Sequence, residues 1–192
     1  MDRTHRLRIA AGTVCFLLLF ALLFAGATQL LRNKNSAGAV LSLYEEPKDS
    51  LDVIFLGSSH ILNGVFPMEL WEEYGIVSNN FGQHGQTIPV TYYMAEEAIR
   101  TQHPKWLVLD GYMLFYADLI YDGDGNTHKS IDNMAWAAPK LRAIFYLFDG
   151  AKRWDYLVPL SLFHSRWKEV SAADLQPPDT VGKGCEYRLA VQ

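Results

Sequence analysis

The chain has 192 residues, of which 49% are hydrophobic, 13% aromatic and 20% charged, and its formal net charge is −4. This length suffices for one domain with a real core, and the slightly acidic balance gives no sign of a nucleic-acid partner. The two cysteines, Cys15 and Cys185, are too few for a disulfide framework or a cysteine metal cluster, so we expect no metal and no cofactor.

The N-terminus predicts a single membrane-spanning helix. Residues 9–31 are apolar and carry no charge, and three basic residues precede them: Arg3, Arg6 and Arg8. A helix of this length spans the ~30 Å hydrocarbon core of a bilayer. The arginines favour a cytoplasmic N-terminus, with the rest of the chain outside the cytoplasmic membrane. A cleaved signal peptide is the alternative, because Ala25-Gly26-Ala27 fits a small-x-small cleavage site; apolar residues beyond that site favour an uncleaved anchor.

Strands and helices alternate in the pattern of residues 52–118. Strands are expected at 52–57, 76–81 and 106–110, and helices at 67–74 and from Ile88 to a point before Pro104. Thr87 is the expected N-cap of the second helix, whose apolar residues share one face: Ile88, Tyr92, Ala95 and Ile99. Two β-α-β units of this kind give a parallel sheet covered by helices.

Three loops should meet at the carboxyl edge of this sheet, where parallel sheets bind their ligands. They are the loops 57–64, 82–87 and 111–116. Beyond them, helical stretches are expected at 131–148, broken by Pro139, and at 154–170. Residues 122–126 begin like a calcium loop but lack its later glycine and glutamate, so a surface turn is predicted there.

The turn Gly57-Ser58-Ser59 resembles the first sequence block of the SGNH/GDSL hydrolase and acyltransferase family, in which the third residue of Gly-Asp-Ser is the nucleophile. The resemblance implies that Ser59 is the nucleophile and that Ser58 replaces the aspartate. The same replacement is found in a membrane-anchored cell-envelope subgroup, similar to teichoic acid D-alanylation and alginate O-acetylation proteins. A serine at such a turn can be reached by both substrate and base. The alternative is that one of the serines only caps the next helix.

Two further segments resemble later blocks of the family. In "NNFGQHGQT", Asn80 and Gly85 match Asn-x-x-x-x-Gly, which implies an oxyanion hole formed by Gly85 and Ser59 with Asn80 in support. Gly85 also precedes a predicted helix, whose free N–H groups favour developing negative charge; an ordinary strand-to-helix loop is the alternative. In "LDGYMLFY", Gly111 fits the third block, but Met113 stands where the family often has an asparagine donor.

The catalytic base of the family comes from Asp-x-x-His, and this chain lacks that block after the anchor. Only His5 has an aspartate three residues earlier, and it precedes the apolar segment. We therefore expect a family domain that is incomplete at its C-terminal side and has negligible activity on a simple acetyl ester. His84 is the better internal substitute, because the side chains of Ser59 and His60 should diverge.

The segment "FHSRWKE", residues 163–169, resembles a stretch of the membrane-anchored subgroup, which implies substrate contacts from His164 and Arg166. A solvated helix face is the favoured alternative. The resemblance as a whole implies a three-layer α/β/α, flavodoxin-like domain.

The sequence thus predicts a serine esterase or O-acyltransferase that acts on an extracytoplasmic glycan or polymer. A membrane-bound O-acyltransferase is its expected partner. The alternative is a non-catalytic single-pass membrane protein that organises envelope partners. The expected organisation begins with a basic cytoplasmic N-terminus (1–8), an anchor (9–31) and a juxtamembrane linker (32–51). The α/β core (52–118) and a helical region with an irregular tail (119–192), in which the domain is incomplete, follow.

Overall fold

A computed structural model describes residues 2–32, 34, 37–116 and 125–186 of the chain. Its contacts divide the chain into two units. Residues 1–32 and 159–176 form the first, here called the N-terminal helix unit. Residues 33–158 and 177–192 form the second, here called the α/β unit, which contains all the strands of the described chain.

The described residues form the following helices, in chain order: α1 (Arg3–Leu31), α2 (Ala37–Glu45), α3 (Ser59–Gly64), α4 (Pro67–Tyr74), α5 (Ile88–Gln102), α6 (Gly125–Ile131), α7 (Ala138–Leu147), α8 (Gly150–Leu157) and α9 (Leu160–Phe163). Their strands are β1 (Val53–Leu56), β2 (Ser78–Asn80) and β3 (Trp106–Leu109). Short 3-10 helices cover Gly111–Tyr116, His164–Lys168 and Ala172–Leu175.

The predicted apolar N-terminal segment is a single uninterrupted helix, α1. None of its residues is buried. By length and composition it could cross a membrane, a test that a signal sequence also passes. A single-pass anchor therefore agrees with the structure, which leaves its orientation a prediction.

The α/β fold predicted from the alternating pattern is confirmed in its coarse form. The three strands form one parallel sheet in the order β2-β1-β3. Ile54 of the central strand lies opposite Asn79 on one side and Leu107 on the other. The helix-covered, three-layer arrangement is not shown, because β3 is largely open to solvent: Trp106 is 70% and Leu109 is 60% exposed.

The core of the α/β unit includes α2, which lies in the segment expected to be a linker. Val40 and Leu43 of α2 are fully buried and belong to the same hydrophobic cluster as Ile54 and Leu56 of β1. The apolar residues of this short helix thus pack in the same core as the central strand, and Pro47, two residues after its end, is incompatible with its continuation.

Helix α4 begins and ends as predicted, with Pro67 in its first turn and Gly75 after its end at a φ of 68°. Helix α5 has the predicted Thr87 N-cap position, but the predicted face is wrong. Tyr92 and Ile99 are 59% and 48% exposed. The buried face lies elsewhere on the helix and consists of Val90, Thr91, Met94, Glu97, Ala98 and Gln102.

The C-terminal helical stretches are more broken than predicted. In the stretch 131–148, Ile131 is the last residue of α6, residues 132–137 are outside both helices, and α7 covers Ala138–Leu147 with Pro139 in its first turn. Pro159 separates α8 from α9 within the stretch 154–170. The predicted surface turn at 122–126 lies mostly outside the described residues.

Candidate functional site

The loops that follow the three strands come together at the carboxyl edge of the sheet. The backbone N–H of Gln83, after β2, donates to the carbonyl of Gly57, after β1, at 3.2 Å. A side chain at Gly82 would collide with that same carbonyl, so only glycine permits this approach. A side chain at Gly57 would in turn collide with the Cβ of Asp110, which follows β3.

The two serines of the turn have different environments. Ser58 occupies the N-cap position of α3, but its side chain makes no capping hydrogen bond. It is 5% exposed, and its hydroxyl donates to Oδ2 of Asp110 at 2.7 Å. Ser59 is half-buried at the first position of α3, and within the described part of the chain no group hydrogen-bonds its hydroxyl. The hydroxyl that remains available is thus the one that the resemblance marks as the nucleophile.

Asp110 is the site residue that the sequence reasoning missed. Its Oδ2 also lies 3.4 Å from the Ser58 backbone nitrogen and 3.6 Å from Nδ1 of His60, while Oδ1 accepts the N–H of Tyr112 at 2.9 Å. Burial raises the pKa of this carboxyl, but hydrogen bonds from Ser58 and Tyr112 outweigh that effect and hold the pKa below its usual value. Asp110 is therefore a carboxylate at neutral pH.

Gly85 lies in the loop after β2, just ahead of α5, on the same edge of the sheet as Ser59. Its φ is 63°, a value that favours glycine. A Cβ placed on Gly85 would lie 2.9 Å from Nδ2 of Asn126, so the Asn126 amide group faces this glycine. Asn126 lies outside the segments that resemble the family, so the resemblance did not mark it.

Asn80 supports the helix that begins with Ser59. Its side chain is fully buried, and its Nδ2 donates to the carbonyls of Ile61 at 3.0 Å and Val65 at 2.9 Å. Ile61 lies within α3 and Val65 directly follows its last residue, so Asn80 bonds this helix to β2. Its role in the structure is to position α3.

His84, the substitute base favoured from sequence, has a carboxylate partner of its own. Its Nε2 lies 2.7 Å from Oε2 of Glu186. The backbone N–H of Glu186 donates to the carbonyl of Leu62 in α3 at 2.8 Å. Glu186 thus bonds both α3 and His84, and its carboxylate occupies Nε2 of the imidazole.

The third loop differs from the family pattern in its contacts as well as its residues. Met113, in the place of the asparagine donor, is 6% exposed and its sulfur accepts the Thr91 hydroxyl at 3.3 Å. A Cβ on Gly111 would meet no atom within 4 Å, so no close approach requires glycine there. Neither residue supplies a donor to the site by its side chain.

The two residues expected to contact substrate, His164 and Arg166, lie in the N-terminal helix unit. Arg166 donates to the carbonyls of Leu31 and Arg32 at 2.8 Å and 2.7 Å and to Oδ1 of Asp174 at 2.8 Å. These bonds occupy its guanidinium at the C-terminal end of α1, where a cation is favoured. His164 Nδ1 lies 2.7 Å from the carbonyl oxygen of Ser161.

A cavity of about 780 Å³ lies elsewhere in the α/β unit. Its lining includes Gly38, Met68, Cys185 and Glu186, but neither Ser59 nor Gly85. Burial raises the pKa of the Cys185 thiol to about 11, so this thiol is protonated at neutral pH and is a weak nucleophile.

Comparisons of this chain with protein-family models, with curated proteins and with solved structures find no match.

Proposed function

We propose that the chain is an SGNH/GDSL-like serine esterase or O-acyltransferase with Ser59 as its nucleophile. The observation that carries this proposal is the meeting of three strand-end loops around the Ser58–Ser59 turn, with the Ser59 hydroxyl left without a partner among the described residues. Parallel sheets bind their ligands at this edge. The proposal extends to a three-layer fold in which further elements cover the exposed apolar side chains of β3.

An oxyanion forms when Ser59 attacks an ester. It would accept hydrogen bonds from backbone N–H groups near Gly85, just before the start of α5. The dipole of this helix favours negative charge there. The Asn126 amide, which faces Gly85, supplies a side-chain donor in the neighbourhood where Met113 offers none. A backbone donor and a side-chain donor would thus lie together at Gly85.

The substrate class follows from the anchor. A single apolar helix precedes the α/β unit in the chain and would anchor it to a membrane, and the three N-terminal arginines favour an α/β unit outside the cytoplasm. The substrate is then an acyl ester of an envelope glycan or polymer. A membrane-bound O-acyltransferase would be the partner that delivers or receives the acyl group.

The test is covalent labelling of the full chain, purified in detergent, with a fluorophosphonate probe. We expect phosphonylation at Ser59, mapped by peptide mass spectrometry, and its complete loss in Ser59→Ala. Ser58→Ala should only slow it, because that variant loses the hydrogen bond to Asp110 but keeps the nucleophile. Absence of labelling at Ser59 in a folded protein would refute the enzyme and leave a non-catalytic membrane protein as the better description.

A further inference from the structure

A carboxylate oxygen of Asp110 lies close to both sequence neighbours of Ser59. Oδ2 of Asp110 accepts the hydroxyl of Ser58 at 2.7 Å and lies 3.6 Å from Nδ1 of His60. Two backbone hydrogen bonds fix the position of Asp110. Its backbone N–H donates to the carbonyl of Leu56 at 2.9 Å, and its Oδ1 accepts the N–H of Tyr112. Its side chain is only 9% exposed.

The imidazole of His60 is oriented and accessible. Its ring meets that of Tyr112 edge-to-face, with the centroids 4.1 Å apart and the planes at 85°. Because Nδ1 is the nitrogen nearest the carboxylate, Nε2 lies on the opposite side of the ring, and 55% of the side chain is exposed. A carboxylate beside Nδ1 favours the tautomer in which Nε2 can accept a proton.

The other histidines of the α/β unit lack this combination. His84 has its Nε2 on Glu186 at 2.7 Å. His128 is paired with Asp132 at 3.1 Å and is buried, with 8% of the residue exposed. His103 is paired with Asp49 on the surface, at a distance of 2.7 Å. Within the described ranges, Asp110, the partner of His60, is the one histidine partner that also bonds a residue of the Ser58–Ser59 turn.

We propose that His60 and Asp110 form the acid–base pair of the Ser59 site, with His60 as the proton carrier and Asp110 as its positioning residue. This inference rests on the function proposed above. It replaces the expectation that the chain has no usable base. Residues 59 and 60 are successive on a helix and point about 100° apart, so the proton would pass between their side chains through one water molecule.

Protons balance in both half-reactions, acylation of Ser59 and transfer of the acyl group. In acylation, Ser59 Oγ attacks the carbonyl carbon of the ester and its proton passes to Nε2 of His60. The bond between that carbon and the alcohol oxygen then breaks, and the alcohol takes the proton. In transfer, water or a sugar hydroxyl attacks the acyl-serine and gives its proton to Nε2. The bond to Ser59 Oγ breaks, and Nε2 returns the proton to the serine.

The experiment measures the second-order rate of Ser59 phosphonylation in the full chain, with and without added imidazole. General-base catalysis typically contributes about 10²–10⁴-fold, so we expect His60→Ala to slow labelling by about 100-fold or more. Imidazole should restore part of that rate, because it can occupy the space left by the side chain. The matched control is His103→Asn, which removes the other exposed histidine–carboxylate pair and suits the φ of 42° at this position. It should label at the wild-type rate.

Asp110→Asn tests the positioning role separately. It should slow labelling while His60 is present, but it should change little in a His60→Ala background, because the positioning residue acts through the imidazole. If Ser59 is labelled and His60→Ala matches the wild type, or slows without rescue by imidazole, the acid–base pair is refuted and the serine enzyme stands. If wild-type Ser59 is never labelled, the proposed function itself fails.

Discussion

Replacing Glu97 by alanine should destabilise the α/β unit far more than replacing its sequence neighbour Glu96. The Glu97 side chain is fully buried on α5. It accepts hydrogen bonds from Nε and Nη2 of Arg100 at 2.8 Å and 2.7 Å and from the Tyr44 hydroxyl at 3.1 Å. Glu96 is paired with Arg142 at 3.0 Å, with 23% of its side chain exposed.

The expected difference follows from where the two ion pairs lie. Removing one partner of a buried pair costs about 3–5 kcal/mol. Arg100 is 46% exposed and can return to water, so we expect the lower end, about 3 kcal/mol, for Glu97→Ala. A pair near the surface contributes about 1 kcal/mol or less, which sets the expectation for Glu96→Ala. Both changes lie in the interior of the same helix, so the helix-propensity contribution is shared.

The assay is urea unfolding of the full chain in detergent, followed by the fluorescence of its five tryptophans. With a slope of about 1–3 kcal/mol per M, Glu97→Ala should lower the midpoint by about 1–3 M. Glu96→Ala should lower it by about a third of that amount. Equal shifts for the two variants would show that burial of Glu97 does not decide the stability of this helix.

Three further outcomes are expected. Gly82→Ala should lower both stability and the rate of Ser59 labelling, because its methyl group would collide with the Gly57 carbonyl; Gly111→Ala, whose methyl group meets nothing, should change neither. Because the pKa of Asp110 is lowered in the folded state, its carboxylate stabilises the fold at pH values above the unfolded-state pKa of about 3.9. This stabilisation is lost as the pH falls through the folded-state pKa. The stability gap between the wild type and Asp110→Asn, from urea midpoints at pH 6 and below pH 4, should therefore shrink at the lower pH, and a constant gap would contradict this. Protease added to intact spheroplasts should digest the region after α1, and digestion only after lysis would reverse the predicted orientation.

The positions of the strands and of the site loops could be predicted because they depend on local signals. The apolar run 53–56 stops at Gly57, and glycines or prolines bound the helices that follow. Each of these signals acts through the backbone of nearby residues, whether by a left-handed turn, a fixed φ or a missing side chain. The parallel pairing then followed from the alternation of strands and helices.

The buried face of α5 could not be predicted from apolar spacing. The pattern placed Ile88 and Ile99 on one apolar face, but the structure buries Glu97 and exposes Ile99. The burial of Glu97 depends partly on the Tyr44 hydroxyl from α2, and hence on how a helix distant in sequence packs. A hydrophobicity pattern along one helix contains no information about such a partner.

Asp110 was missed for a similar reason, although its neighbourhood could have been derived. The register that places Leu56 beside Leu109 brings the residues after each strand together, and the Asp110 N–H donates to the Leu56 carbonyl. The family pattern directed attention to Gly111 and Met113, because it matches residues one at a time along the sequence. In the family pattern the aspartate belongs to the turn itself, at the position of Ser58. In the structure a carboxylate comes from Asp110, which follows the neighbouring strand β3 and accepts the Ser58 hydroxyl.

The contacts of the turn argue against a simple helix cap. A serine that only starts α3 would bond the free N–H groups of that helix, yet Ser58 makes no such bond and donates to Asp110. A cap would also place no demand on residue 57, whereas here a side chain at Gly57 would displace Asp110. The turn is therefore shaped by contacts with the loops on both sides, and those contacts anchor Ser58 while leaving Ser59 unbonded among the described residues. An unbonded hydroxyl is open to both a substrate and a base, as the proposed nucleophile requires.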